Sequence, residues 1–224
     1  MDNAINNCRL FSGLSQKEID VFFKNHDVKI KEYDRSGIIF HQGDKAESFF
    51  VLLCGKVSVR QSFLSGNQTL NAVFSQSGEL FGEVYAFLEN TTYDYYAVAE
   101  QPCHVMEIHK SFFAQYSRCE SRLHNTLIKN MLSILSEKAY SLNQRLLLLS
   151  CPTLRQKIAF FLLKNSGGTA SPRINMSRDE MANYLGVARP SLSRELLNMQ
   201  RQELITLNGR QISILNAQAL NDLL

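Results

Sequence analysis

Hydrophobic positions along this chain follow two alternating rhythms, and each change of rhythm predicts a change of element. Leu14, Ile19, Phe22 and Phe23 recur at helical spacing, and Ser15 is a residue type that caps helix N-termini, so a short helix is predicted up to Asn25. From Val28 to Ile108 the pattern shortens to runs such as VKIKEY, GIIFH, SFFVLL, GKVSVRQSF, QTLNAVF, YYAVA and CHVMEI, with glycine turns at Gly37, Gly43, Gly55, Gly66 and Gly78. Many short strands with regular turn signals predict an antiparallel sandwich or barrel. Pro102 belongs in a turn, because a strand centre needs its missing amide hydrogen.

After Phe112 and Phe113 helical spacing returns. Ile128, Leu132, Leu135, Ala139, Leu142, Leu146 and Leu149 are separated alternately by 4 and 3 residues, an unbroken heptad seam. At ~1.5 Å per residue the seam is about 33 Å long. A helix lying against its own sheet would need a wider apolar stripe, so a second copy of the chain in parallel is expected to cover it. Ser150, Cys151 and Pro152 break this helix, Thr153 caps the next, LRQKIAFFLLKN, and SGGTASP forms a loop. The residues Ile174 and Asn175 begin the most patterned stretch as a short strand.

Between Ser177 and Leu204 two short helices meet at a tight turn. Ser177 and Glu180 have capping-box spacing, Met181, Tyr184 and Leu185 share a face, and Gly186 is the residue type that ends helices. Pro190 suits the first turn of the second helix. There Leu192, Leu196 and Met199 make a buried stripe while Ser191, Arg194, Asn198 and Arg201 line the opposite side. ITLNGRQISIL follows, with Asn-Gly between two alternating runs, a strong hairpin signal. A helix pair followed by a hairpin is a winged helix-turn-helix, with one face free to enter a DNA groove.

Composition refines this picture in two places. Residues 1–150 carry 15 basic against 16 acidic side chains, whereas residues 151–224 carry 9 against 5, so the basic excess sits with the helix pair, as a nucleic-acid module requires. The five cysteines, Cys8, Cys54, Cys103, Cys119 and Cys151, are widely spaced with no C-x-x-C pair, which predicts packed thiols and no zinc site. No signal-peptide pattern or membrane-length apolar run is present, so a cytoplasmic protein without a membrane partner is expected. No nucleophile-base pairing, Walker loop or metal-ligand spacing suggests an enzyme.

HQGDKAESFFVLLCGKVSV, SGELFGEVYAFL and AVAEQPCHVMEI together resemble the cyclic-nucleotide-binding β-roll of the CRP/FNR transcription regulators, with Gly43, Gly55, Gly78, Gly82 and Glu83 at matching positions. The helix pair sits where that family keeps its helix-turn-helix. The resemblance implies an α+β fold: an effector-sensing antiparallel, jelly-roll-like β-roll over residues 1–118, a dimerisation helix over 119–150, and a winged helix-turn-helix over 151–224. It also implies a homodimer on palindromic double-stranded DNA, RNA polymerase as a partner, and a small-molecule effector.

The same resemblance assigns candidate site residues. Arg189 and Arg194 match base- or backbone-contacting positions, with Ser191 and Ser193 beside them in the recognition helix; Ser177, Arg178 and Arg210 complete the set, the two arginines as phosphate contacts. Where many members carry a cytosine-reading glutamate this chain has Pro190, so the half-site is expected to differ. The effector pocket falls on Gly82, Glu83, Tyr93, Asp94 and Tyr95. Tyr93 and Asp94 stand where cyclic-nucleotide binders hold the phosphate with an arginine and a serine or threonine, so cyclic AMP is not expected. With Cys8 alone near the N-terminus no iron-sulfur cluster is expected; the five histidines leave haem open. An alternative function is a ligand- or redox-sensing module acting through protein partners, with Cys54, Cys103 or Cys119 as the sensing thiol.

Overall fold

A computed structural model describes the chain except for residues 1–4, 6, 64, 66, 86, 115–121 and 167–172. Gly66, Cys119 and most of the SGGTASP segment therefore lie outside the described residues. Two compact units are present, Met1–Glu137 and Lys138–Leu224.

In the first unit, α1 (Gln16–Asn25) begins at a capping box in which the Glu18 amide donates to Ser15 Oγ at 3.4 Å and the Ser15 amide donates to Glu18 Oε2 at 2.8 Å. Six antiparallel strands follow: β1 (Val28–Tyr33), β2 (Ile38–Phe40), β3 (Ser48–Ser62), β4 (Gln68–Phe74), β5 (Leu80–Phe81) and β6 (Tyr96–His109). Their order is β1-β6-β3-β4, with β2 paired to β6 and β5 to β3. A short helix α2 (Ser111–Ala114) leads toward the 29-residue α3 (Arg122–Ser150). Both faces of β3 are covered, which is why SFFVLL reads as a continuous apolar run. Phe49, Val51 and Leu53 pack with α1 and with Leu127, Met131 and Ile134 of α3. Phe50 and Leu52 face the roll interior with Phe40, Phe81, Tyr85 and Tyr93.

Two expected turns are absent. SFFVLL and GKVSVRQSF up to Ser62 form the single strand β3, and YYAVA from Tyr96 onward joins CHVMEI in the single strand β6, so Gly55 and Pro102 lie inside strands. The β3–β6 register shifts between Leu52 and Val57, opposite Pro102. Gly55 has φ +94, and a Cβ there would lie 2.5 Å from the Pro102 carbonyl oxygen. This is a bulge, the one interior site where a strand tolerates proline.

The second unit contains the last turns of α3, then α4 (Leu154–Asn165), β7 (Arg173–Asn175), α5 (Arg178–Leu185), α6 (Arg189–Arg201), β8 (Ile205–Asn208), β9 (Gln211–Ile214) and the unforeseen α7 (Ala217–Asn221). The strands pair β7-β9-β8. Leu192, Leu196 and Met199 are fully buried among Ile158, Leu162, Met181, Leu185 and Ile212. Each such side chain contributes about 1.5–3 kcal/mol, enough to fix which face of α6 turns outward.

Candidate nucleic-acid interface

Local chemistry starts both helices of the pair. The Glu180 amide donates to Ser177 Oγ at 3.2 Å and the Ser177 amide donates to Glu180 Oε2 at 2.8 Å. Those bonds to Ser177 hold the Glu180 carboxyl below its usual range, with Arg210 a smaller influence. Gly186 closes α5 in the left-handed region at φ +66. The N-cap of α6 is Ala188, which offers no side-chain acceptor, and Pro190 lies in its first turn. Ser177 is thus engaged in starting a helix, its hydroxyl accepting from the Glu180 amide.

With the stripe of α6 buried, its other residues line an outward face. Arg189, Ser191, Arg194 and Arg201 are exposed, and Ser193 and Asn198 half-buried. Arg189 Nη1 lies 3.4 Å from Asp179 Oδ1, with both side chains 63% exposed. Exposed pairs of this kind are worth about 0–1 kcal/mol, too little to hold Arg189 back from a phosphate or a base.

Behind α6, Arg155 donates from Nε to Glu195 Oε1 at 2.6 Å and from Nη1 to Gln202 Oε1 at 2.9 Å. Met181 and Leu185 are buried, whereas Tyr184, expected on the same face, is exposed. Its ring lies 5.1 Å from Phe161 and 4.9 Å beneath the Arg145 guanidinium, which also donates to the Tyr184 carbonyl oxygen. Arg145 and Arg155 carry no sequence signal for these roles, because their partners lie 39 to 47 residues away.

The two arginines expected on phosphates differ. Arg210 is exposed in the turn between β8 and β9. Arg178 is half-buried: Nη2 donates to the Gly209 carbonyl oxygen at 3.1 Å, and Nη1 is shut off from solvent without a hydrogen-bond partner among the described residues. Burial lowers its pKa from the usual arginine value.

In the first unit the expected effector residues divide. The Tyr93 ring is stacked 4.1 Å from Phe40, and its hydroxyl donates to the Ser48 carbonyl oxygen at 2.6 Å. Asp94 accepts from the Tyr85 hydroxyl at 3.2 Å, Glu83 is buried in a single 3-10 turn, and Tyr95 packs partly into the same interior. A cavity of about 350 Å³ is lined by Tyr93, Phe40, Phe50, Ser48, Lys29, Lys31, Lys45, Glu47, Glu107 and His109, among others, but not by Gly82, Glu83, Asp94 or Tyr95. Its charges are cross-paired: Lys31 lies 2.7 Å from Glu107, and Lys45 pairs with Glu47.

The thiols also divide. Cys8 and Cys103 are buried, and burial pushes Cys8 up to about 11 and Cys103 upward; Cys54 is exposed, 3.3 Å from His104 Nδ1, so it departs from the packed thiols expected. Among the described residues no group of three or more His, Cys, Asp and Glu is placed to hold a metal ion.

Along α3, Leu132, Ala139, Leu142, Leu146 and Leu149 are exposed, while Ile128 and Leu135 also touch the roll core. Among the described residues no helix is long and apolar enough to cross a membrane.

A roll of this topology, one long helix and a winged helix-turn-helix define a class of two-unit DNA-binding protein. Two family models match accordingly: the cyclic nucleotide-binding domain over residues 30–118 and the Crp-like helix-turn-helix domain over residues 156–223. The cyclic AMP receptor protein of Thermus thermophilus is 25% identical over 214 residues, covering 96% of this chain and 95% of that protein. The transcriptional activator protein Anr of Pseudomonas aeruginosa is 29% identical over 186 residues, covering 80% and 73%. The crystal structure of the Thermus thermophilus catabolite activator protein shares the fold at a TM-score of 0.54, with 24% identity over 96% of this chain and 97% of that one. The chain belongs to the CRP/FNR family: it is a transcription regulator with a helix-turn-helix DNA-binding domain.

Proposed function

We propose that the chain is a homodimeric, sequence-specific transcription regulator whose two recognition helices read an inverted repeat, in response to a small effector other than cyclic AMP. The carrying observation is α6, with Leu192, Leu196 and Met199 buried and Arg189, Ser191 and Arg194 outward. Arginine presents a planar fork that matches guanine O6 and N7, worth about 1–3 kcal/mol of discrimination per base pair. Arg210 supplies a phosphate contact from the wing. Ser193 and Ser177 flank these groups as hydrogen-bonding neighbours of the backbone. The exposed leucines of α3 supply the dimer seam, so the domains act as a sensing roll over 1–118, a dimerisation helix over 119–150 and a reader over 151–224. RNA polymerase is the protein partner this arrangement serves.

The effector reading rests on charge. An anionic phosphodiester at Tyr93 and Asp94 would meet a phenol already donating elsewhere and a carboxylate, with no guanidinium at either position. The residues present do not fit a cyclic nucleotide held in that manner. The cavity floored by Tyr93 has both signs of charge around it, which suits a small polar effector.

Selection of duplexes from an inverted-repeat library, followed by binding across salt concentrations, tests the reading. Enrichment of a palindrome bound by a dimer is expected; indifference to sequence, or a monomeric complex, overturns it.

A further inference from the structure

The geometry points to Arg178 as the clasp that fixes the wing, a positioning residue that acts through Arg210 and makes no phosphate contact of its own. The affinity arm of its test rests on the DNA-binding reading; the exchange arm does not.

Arg178 is the first residue of α5, and its guanidinium is turned back onto the wing. The acceptor is the carbonyl oxygen of Gly209, the left-handed residue, φ +57, of the turn that joins β8 to β9. The same turn is held at its next residue, where the Met176 amide donates to the Arg210 carbonyl oxygen at 3.4 Å. Residues 176–178 therefore grip two successive carbonyls of the wing turn, one by backbone and one by side chain.

Two physical penalties oppose this placement. A cation in the first turn of a helix faces the positive end of the helix dipole. A guanidinium with one nitrogen shut off from water also loses hydration. Among the described residues the charge-assisted bond to Gly209 is the one hydrogen bond the guanidinium makes in return. A guanidinium turned onto the Gly209 carbonyl neutralises no phosphate, so it releases none of the counterions condensed on the DNA and contributes nothing to the salt dependence of binding. Arg210, by contrast, is exposed on the turn that Arg178 holds. Where Arg210 projects is set by where the turn is pinned.

The test compares R178Q and R210Q in the full chain. In the free protein, hydrogen exchange should quicken about ten- to a hundredfold in β8 and β9 of R178Q, the range one charge-assisted hydrogen bond supports, while the core amides of α6 stay at the wild-type rate. On a palindrome from the library, or a mixed-sequence duplex if none is enriched, R178Q should bind more weakly with an unchanged slope of log affinity against log salt, because the loosened wing must be ordered on the duplex before Arg210 makes the same phosphate contact. R210Q should lose about 0.9 of that slope per protomer. Wild-type wing exchange in R178Q, or a slope loss matching that of R210Q, overturns the inference. If R178Q does not fold, NMR of the Arg178 guanidinium in the wild type decides: Nη signals protected in the free protein and unmoved by duplex support the clasp, and signals that become protected only on adding duplex overturn it. Failure of every duplex to bind would sink the DNA-reading function and leave the exchange result to judge the clasp alone.

Discussion

A phenol stacked 4.1 Å from Phe40 and donating to the Ser48 carbonyl oxygen gains nothing by ionising, and burial pushes the Tyr93 pKa up to about 12. The sign of the linkage follows. Above about pH 10 an unfolded tyrosine loses its proton while the folded one keeps it, so the unfolded state gains and stability falls as pH rises from about 10 to about 12. Y93F should therefore show a shallower loss of stability in that window than the wild type, measured by urea melts. At neutral pH it should be about 1–3 kcal/mol less stable, because the Ser48 carbonyl loses its donor. A second residue, Gly55, has no tolerated replacement: at φ +94 a Cβ would sit 2.5 Å from the Pro102 oxygen. Backbone strain of about 1–3 kcal/mol and overpacking of a similar size predict that G55A loses on the order of 2–6 kcal/mol by thermal or urea melting.

The helix α3 uses two stripes for two purposes. Leu127, Met131 and Ile134 are spent on the core of the first unit, whereas Leu142 and Leu146 remain 63% and 56% exposed. Four exposed leucines at heptad spacing make a patch of the kind that marks an interface. L142D with L146D should convert the dimer to monomer in analytical ultracentrifugation and weaken operator binding. The winged-helix unit should keep its melting behaviour, since neither side chain is in its core; a persistent dimer would move the seam elsewhere. At this scale the sequence was most legible where the signals are local. The N-cap at Ser15, the capping box at Ser177, the left-handed stop at Gly186 and the Asn-Gly turn each span at most four residues, and each is present. Gly55 and Pro102 were misread because a positive φ and a missing amide hydrogen serve a turn and a bulge equally. Only the pairing partner distinguishes them. The Arg178 to Gly209 bond spans 31 residues and the Arg155 to Gln202 bond 47, and neither pairing leaves a trace in periodicity.

Over the whole molecule, charge is segregated: near neutrality through residue 150, basic beyond it. Long-range attraction to DNA is thus concentrated on the reading unit, and its strength falls as added salt lowers the free energy gained by releasing the counterions condensed on the DNA. In the proposed dimer each wing acts twice, so R210Q is expected to remove two phosphate contacts per complex and to lower the slope by about 1.8 in total. Symmetry constrains the operator as well. Two recognition helices held by one seam meet successive major grooves on one side of the duplex when half-site centres lie roughly 34 Å apart. Inserting about five base pairs between the half-sites turns one of them to the opposite face. Affinity should then drop to that of a single half-site, and titration of the two duplexes side by side measures the drop. Equal binding to both would mean that the two readers act independently, and the exposed seam on α3 would have to serve some other contact.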